Sequence, residues 1–196
     1  VTIWSANQFN KVVRKAGLEI FRIERNDLNG GSIRFWAGRP GERVVEPSVF
    51  KIIRQEKGRL SMRAWKKLSQ KIRKVSESLR KLVRKLRSQG KTIMVYGAST
   101  RGLTTLGAAG LDSEEIAAAV EVTPQKFGRY YGTTGIRVIS ETQMHLSPPD
   151  ALLILPYSFI AEFVRREKTF LDNGGVFIVP MPRPKIISKA NRGAIS

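Results

Sequence analysis

The feature that most constrains the fold is a regular alternation of strand and helix patterns over residues 91–187. Short apolar runs that suit buried strands lie at residues 93–96, 117–122, 136–139, 151–155 and 176–179. Helical patterns begin near Leu103 and cover residues 159–173. Strands that alternate with helices form parallel sheets whose two faces are covered. We therefore predict an α/β, Rossmann-like, mostly parallel sheet with helices on both faces, followed by a tail at residues 188–196.

A helix and a β-hairpin are predicted within residues 1–38. Ser5 and Gln8 have the spacing of a helix capping box, and Gly17 supplies a helix stop. Two strands follow, joined by the turn-forming residues 26–31. A helix and a hairpin of this size cannot bury enough apolar surface to be stable alone. We therefore expect residues 1–38 to be the end of a preceding domain.

Residues 39–90 are predicted to be a helical connector that contains a long basic helix. Seven apolar residues recur with the 3–4 spacing of a heptad seam: Trp65, Leu68, Ile72, Val75, Leu79, Leu82 and Leu86. We favour packing of this seam on the following domain, and a self-associating coiled coil is the alternative.

The basic charge of the chain is concentrated in the same helical segment. The whole chain has a formal net charge of +19, and residues 51–90 hold 15 Lys and Arg against 2 acidic residues. Phosphate neutralisation by such a segment could bind nucleic acid. The segment has no aromatic stacking platform and no recognised motif. We therefore expect no nucleic-acid partner, although a nucleic-acid-binding function of residues 51–90 remains the alternative.

Composition removes several classes of site. The chain has no cysteine and one histidine, His145, which excludes thiol nucleophiles and clusters of histidine ligands for a metal. We predict that His145 lies in a loop and has no catalytic role. No apolar run approaches the roughly 18 residues of a membrane span. We therefore expect a cytoplasmic protein without disulfides and without a membrane partner.

The candidate binding site is the segment that joins the first predicted strand of the α/β region to its helix. Small residues let a phosphate approach the backbone there, hydroxyls donate hydrogen bonds, and Arg101 adds a bidentate cation. Glu121 ends the second strand, where an acidic residue commonly binds a ribose hydroxyl. A purely structural turn is the alternative, as is a nicotinamide-binding module, whose second fingerprint glycine is replaced by Ser99. The residues of this segment are Gly97, Ala98, Ser99, Thr100, Arg101 and Gly102.

Two further loops are predicted to face the same crevice. The loop after the second strand offers cations and aromatic rings beside the site, and the loop after the fourth strand adds two polar residues. The candidates are Thr123, Lys126, Arg129, Tyr130, Tyr157 and Ser158.

With these residues in view, the chain resembles the C-terminal region of SAM-dependent C-methyltransferases that act on nucleotide-linked deoxysugars. The resemblance rests on an ordered set of short motifs over about residues 7–187. These are Asn29-Gly30-Gly31-Ser32-Ile33-Arg34, Tyr96-Gly97-Ala98-Ser99 with Arg101-Gly102, Thr123-Pro124, Lys126, Gly128-Arg129-Tyr130, the strand at 149–155, and Gly174-Gly175 to Pro180. The chain departs from the family pattern at Glu121, where an Asp is usual, at residues 132–135, and at Ser158, where an Asn is usual.

The resemblance implies a three-part enzyme. An N-terminal cysteine-rich zinc module and a SAM-binding domain would precede an α/β domain that holds the nucleotide-linked sugar. Residues 1–38 would be the end of that upstream SAM-binding domain. SAM and zinc would then belong to the full-length enzyme and have no site in this chain.

We predict that this 196-residue chain alone neither binds SAM tightly nor transfers methyl groups. Proton abstraction from carbon needs a positioned base, and no candidate for one is found in the sequence. Nucleoside diphosphates should still raise the melting temperature, because a ligand that binds only the native state stabilises it. A thermal-shift series with SAM and with a nucleoside diphosphate, followed by a methyl-transfer assay, tests these two expectations. A clear shift with SAM would contradict the first of them.

Overall fold

The computed structural model describes residues 4–28, 31–59 and 61–195. It contains two compact units, residues 1–69 and residues 70–196, which divide within one long helix. Within the predicted hairpin turn, Asn29 and Gly30 lie outside the described residues. The domain limits at residues 38, 90 and 187 stay predictions.

The first unit packs two helices on a β-hairpin. Helix α1 spans Ala6–Lys15, and its N-cap is Ser5, whose Oγ accepts the Gln8 N–H at 3.2 Å. Strands β1, Glu19–Asn26, and β2, Ser32–Gly38, pair antiparallel, and helix α2 spans Pro47–Arg59. The helix and hairpin predicted from sequence are therefore present. Residues of α1, β1 and α2 form one apolar core: Ala6, Val13, Ile20, Ile23, Val49 and Ile52.

The second unit is built on a six-stranded sheet whose strands are β3, Ile93–Tyr96; β4, Ala118–Glu121; β5, Val138–Ser140; β6, Ala151–Ile154; β7, Val176–Val179; and β8, Lys185–Ile187. Their order in the sheet is β5-β4-β3-β6-β7-β8. Strands β3 to β7 are parallel to one another, which confirms the predicted fold class. The last strand, β8, is antiparallel to β7 and was not predicted, because it follows a proline-rich segment.

Helices cover both faces of this sheet. Alternate residues of β6 belong to different cores: Ala151 and Leu153 lie on one face, and Leu152 and Ile154 lie on the other. The first face packs against helices α3, Met62–Ser88, and α4, Thr100–Ala109. The second packs against α5, Glu141–Leu146; α6, Ile160–Arg166; and α7, Lys168–Asp172.

The backbone outside β5 is also paired. The Gly128 N–H donates to the Val138 carbonyl at 2.9 Å, and the Val138 N–H donates to the Arg129 carbonyl at 2.8 Å. The loop after β4 therefore runs back along this edge of the sheet.

The structure corrects three details of the sequence prediction. Helix α4 begins at Thr100 rather than near Leu103, because Ser99 is its N-cap. His145 lies in the last turn of α5 rather than in a loop, because Ser140 and Gln143 form a capping box that starts a helix there. The helix predicted at residues 159–173 is interrupted at Glu167 between α6 and α7.

The apolar seam of the basic helix is only partly buried. Leu79 is 1% exposed, and Leu82 and Leu86 pack against the same core, as predicted for packing within the chain. In contrast, Trp65, Leu68 and Ile72 are 53%, 45% and 51% exposed. The predicted helical segment is also two helices, α2 and α3, and the Ser61 Oγ accepts the Ala64 N–H in the first turn of α3.

Leu79→Ala should lower the free energy of unfolding by about 2–5 kcal/mol, because it leaves a cavity in a closed core. Leu68→Ala, the same change on an exposed part of the same helix, should cost much less. Urea denaturation of the two variants measures the difference. Equal losses would show that burial of Leu79 does not hold α3 on the sheet.

Candidate ligand-binding site at the carboxyl ends of the strands

The order of the strands places a topological switch point beside β3. The chain leaves β3 toward β4 on one side of the sheet, while β6 lies on the other side. The connections after β3 and β6 therefore depart in opposite directions. In open α/β sheets, ligands bind at such a switch point, at the carboxyl ends of the strands.

The N-terminus of α4 lies at this point. The Ser99 backbone is extended, with φ −101° and ψ 157°, and its Oγ accepts the Gly102 N–H at 3.2 Å. Thr100, Arg101 and Gly102 thus form the first turn of a helix rather than a loop. The first amides of a helix lack partners within the helix, and its dipole is positive at that end. This arrangement suits an anion.

Close packing of the protein explains the two glycines of this segment. Gly97 has φ +89°, and a Cβ there would lie 2.6 Å from the Pro156 Cγ. A Cβ on Gly102 would lie 2.5 Å from both the Leu155 Cδ1 and the Tyr131 hydroxyl oxygen. The segments after β3 and β6 are therefore in direct contact, and any side chain at either glycine would separate them.

Glu121 and Lys126 form an ion pair that joins two of the loops. The Lys126 Nζ lies 2.8 Å from the Glu121 Oε2 and donates to the Ala98 carbonyl at 3.1 Å. The Glu121 Oε1 accepts the Val122 N–H at 2.9 Å, the Thr123 N–H at 3.3 Å and the Thr123 hydroxyl at 3.2 Å. Burial alone would raise the pKa of Glu121, but the Lys126 ammonium and the two amides outweigh it and hold the pKa below its usual range.

Tyr131, the neighbour of the candidate Tyr130, has a buried position that the sequence did not predict. It is 6% exposed, and its hydroxyl donates a hydrogen bond to the Ser99 carbonyl. Burial raises the pKa of this hydroxyl well above its usual value. The preceding Tyr130 is 68% exposed. In an extended segment, consecutive side chains point to opposite sides, but the sequence does not show which tyrosine faces inward.

The structure brings some of the predicted residues together and leaves others apart. Lys126 hydrogen-bonds to the Ala98 carbonyl in the segment at residues 97–102, and it joins this segment to Glu121, which in turn bonds Thr123. Tyr157 follows Pro156 and packs half-buried against the second core, and Ser158 is exposed. Among the described hydrogen bonds and ion pairs, none joins the side chains of Arg129 or Tyr130 to this group; both are exposed at the edge beside β5.

A second polar group lies at the opposite ends of the strands. The His145 Nε2 lies 2.9 Å from the Glu167 Oε2, and Glu167 is 4% exposed. These residues and Pro149, which precedes β6, line a cavity of about 400 Å³. In the described part of the chain, no group of three or more His, Cys, Asp or Glu side chains could hold a metal ion.

The sheet order and the start of α4 define a Rossmann-like α/β domain with a helix N-terminus at its switch point. Over residues 27–182, the sequence matches the family described as the C-methyltransferase C-terminal domain, so the chain belongs to that family. C-methyltransferase NovU of Streptomyces niveus is 34% identical over 175 residues, which cover 88% of this chain and 42% of that protein. The chain therefore spans less than half the length of this relative.

Glu121→Gln should lower the free energy of unfolding at pH 7 by about 1–3 kcal/mol, because Lys126 loses its charged acceptor. The pKa of Glu121 is lower in the folded state than its ordinary value of 4.5. The stabilisation is therefore present above pH 4.5 and is lost as the pH falls through the folded-state pKa. Unfolding curves across pH measure this, with Glu162→Gln, an exposed change, as the control. A difference from wild type that persists in acid would contradict the assignment.

Proposed function

We propose that this chain is the nucleotide-sugar-binding C-terminal part of a SAM-dependent C-methyltransferase, and that it binds the substrate diphosphate at the N-terminus of α4. The observation that carries the proposal is the position of this helix end at the switch point of the sheet, with the Lys126 ammonium 3.1 Å from the Ala98 carbonyl beside it. Family membership and similarity to a C-methyltransferase support the wider role.

The proposed diphosphate site combines backbone amides with two cations. The Thr100 N–H lies in the first turn of α4, where amides have no partner within the helix, and the Ser99 Oγ caps Gly102 in the same turn. The Arg101 guanidinium would pair with phosphate oxygens in a bidentate manner. An ammonium group has three donors, and Lys126 uses two of them on Glu121 and Ala98. Its third donor would bind a phosphate oxygen.

The proposed ribose contact is made through one oxygen of Glu121. The Oε1 already accepts three hydrogen bonds from Val122 and Thr123. The Oε2 accepts one, from Lys126, and a carboxylate oxygen has two lone pairs. A sugar hydroxyl would therefore bind the Oε2 and share it with Lys126.

The remaining predicted residues would line the outer parts of the substrate. Tyr157 and Ser158 follow β6, across the crevice from α4, and would contact the sugar. Thr123 would hold the Glu121 carboxylate in place, as its hydrogen bonds suggest. Arg129 and Tyr130 would bind the nucleotide at the β5 edge, where both side chains are exposed.

Methyl transfer itself is proposed to need a second part of the enzyme. We propose that SAM binds an upstream domain, that residues 1–38 complete this domain, and that a zinc module stands before it. The residues of this chain do not fit zinc, since it has no cysteine and a single histidine. We propose that the enzyme is cytoplasmic, in keeping with the absence of cysteine from the sequence. Separately, no described helix is long and apolar enough to cross a membrane.

Arg101→Ala should weaken binding of a nucleoside diphosphate by about 1.5–3 kcal/mol, the range for a hydrogen bond to a charged group. Arg165→Ala, which removes an exposed arginine on α6, is the matched control and should not change affinity. Isothermal titration calorimetry of both variants with ADP, GDP, UDP and thymidine diphosphate measures the effect.

The matching nucleosides and NAD complete the experiment. Nucleosides should bind more weakly than diphosphates, because they cannot use the helix end. No binding of any diphosphate by the wild type would refute the proposed site. Preference for NAD over every diphosphate would favour the nicotinamide-binding alternative.

A further inference from the structure

We propose that Tyr131 is a positioning residue whose hydroxyl, through the Ser99 carbonyl, fixes the first amides of α4 in the orientation that binds diphosphate. The inference deepens the proposed function and rests on it. Tyr131 would not touch the ligand.

The hydrogen bonds around Ser99 supply the geometry. The Ser99 carbonyl accepts the Leu103 N–H at 3.0 Å, as a helix requires, and it also accepts the Tyr131 hydroxyl. Two donors on one carbonyl restrict rotation of the peptide that joins Ser99 to Thr100. In a trans peptide, the N–H points opposite to the C=O. The Thr100 N–H is therefore held pointing away from the buried phenol.

Gly102 provides the space that lets the phenol reach this carbonyl. A Cβ on Gly102 would lie 2.5 Å from the Tyr131 hydroxyl oxygen, far inside van der Waals contact. Glycine at this position and tyrosine at 131 are thus matched to each other. The same helix turn is capped by the Ser99 Oγ, so Ser99 is held by its side chain and by its carbonyl.

The backbone of Tyr131 is fixed by hydrogen bonds within its own loop. The Tyr131 N–H donates to the Ile136 carbonyl at 2.8 Å, and the Thr134 hydroxyl donates to the Tyr131 carbonyl at 2.7 Å. A Cβ on the next residue, Gly132, would lie 2.7 Å from the Leu103 Cδ2, so this turn packs directly on α4. The position of the loop after β4 therefore determines where the Tyr131 hydroxyl meets the start of α4.

The hydroxyl is not needed to satisfy the Ser99 carbonyl or to fill the core. Leu103 already donates to that carbonyl, and a phenylalanine ring would occupy the same volume. Removing the hydroxyl should therefore loosen the orientation of the peptide without opening a cavity. This separates a positioning role from a packing role.

The test compares Tyr131→Phe with Tyr96→Phe, the same change at a buried tyrosine whose hydroxyl donates to Glu141 rather than to Ser99. Tyr131→Phe should weaken binding of the preferred nucleoside diphosphate roughly three- to tenfold, which corresponds to one hydrogen bond. It should leave affinity for the matching nucleoside and the melting temperature nearly unchanged. Tyr96→Phe should not produce this selective loss of diphosphate affinity. Calorimetry and thermal unfolding of the 196-residue chain give these values.

A double-mutant cycle with Gly102→Ala provides the second measurement. The new methyl group should displace the phenol, so Gly102→Ala should also weaken diphosphate binding, and adding Tyr131→Phe should cause little further loss. Fully additive losses would overturn the inference. So would a Tyr131→Phe variant that binds diphosphate like the wild type, or one that loses diphosphate, nucleoside and thermal stability together. If the wild type binds no diphosphate, the proposed function fails first, and the inference fails with it.

Discussion

The contact of Gly102 with Leu155 and Tyr131 is the constraint on which the candidate site depends. It brings the start of α4 against the end of β6 and the loop after β4, with no space for a Cβ. Three segments that are far apart in sequence thereby meet at one helix end. The glycines of the segment therefore serve the packing of the protein first. Any access they give a ligand is a consequence of that packing.

The charged side chains of Glu121 and Lys126 form an ion pair at the end of β4 and in the loop after it, beside this contact. Lys126 neutralises Glu121 and at the same time donates to the carbonyl of Ala98, in the segment that follows β3. The Glu121 carboxylate in turn orders the residues that follow β4. A ligand that bound Lys126 or Glu121 would meet side chains that already hydrogen-bond to each other and to the backbone. Binding at this site would thus exchange interactions rather than fill an empty set of donors.

The sequence predicted the sheet well, because its strands are short apolar runs bounded by glycine and polar residues. It missed β8, because Lys185, Ile186 and Ile187 form a very short run after a proline-rich segment. Their pairing with β7 is visible only in the structure. It placed the start of α4 too late, because Gly102 is a poor helix former whose presence there is explained only by Leu155 and Tyr131. Tyr131 could not be chosen over Tyr130 from sequence, since the choice depends on which side of the loop faces α4. The seam of α3 shows the same limit: its spacing is regular from Trp65 to Leu86, but burial depends on where the sheet lies beside it.

The antiparallel strand β8 bears on how the protein behaves at high concentration. An exposed sheet edge offers unpaired amides and carbonyls to other chains and favours aggregation. Here the strand at one end of the sheet, β5, is paired along its outer side by the backbone of Gly128 and Arg129. At the other end, β8 is three residues long, begins at the exposed Lys185 and directly follows Pro184. Short length, a charge and a proline all oppose the addition of a further strand, so this domain carries its own protection against edge-to-edge polymerisation.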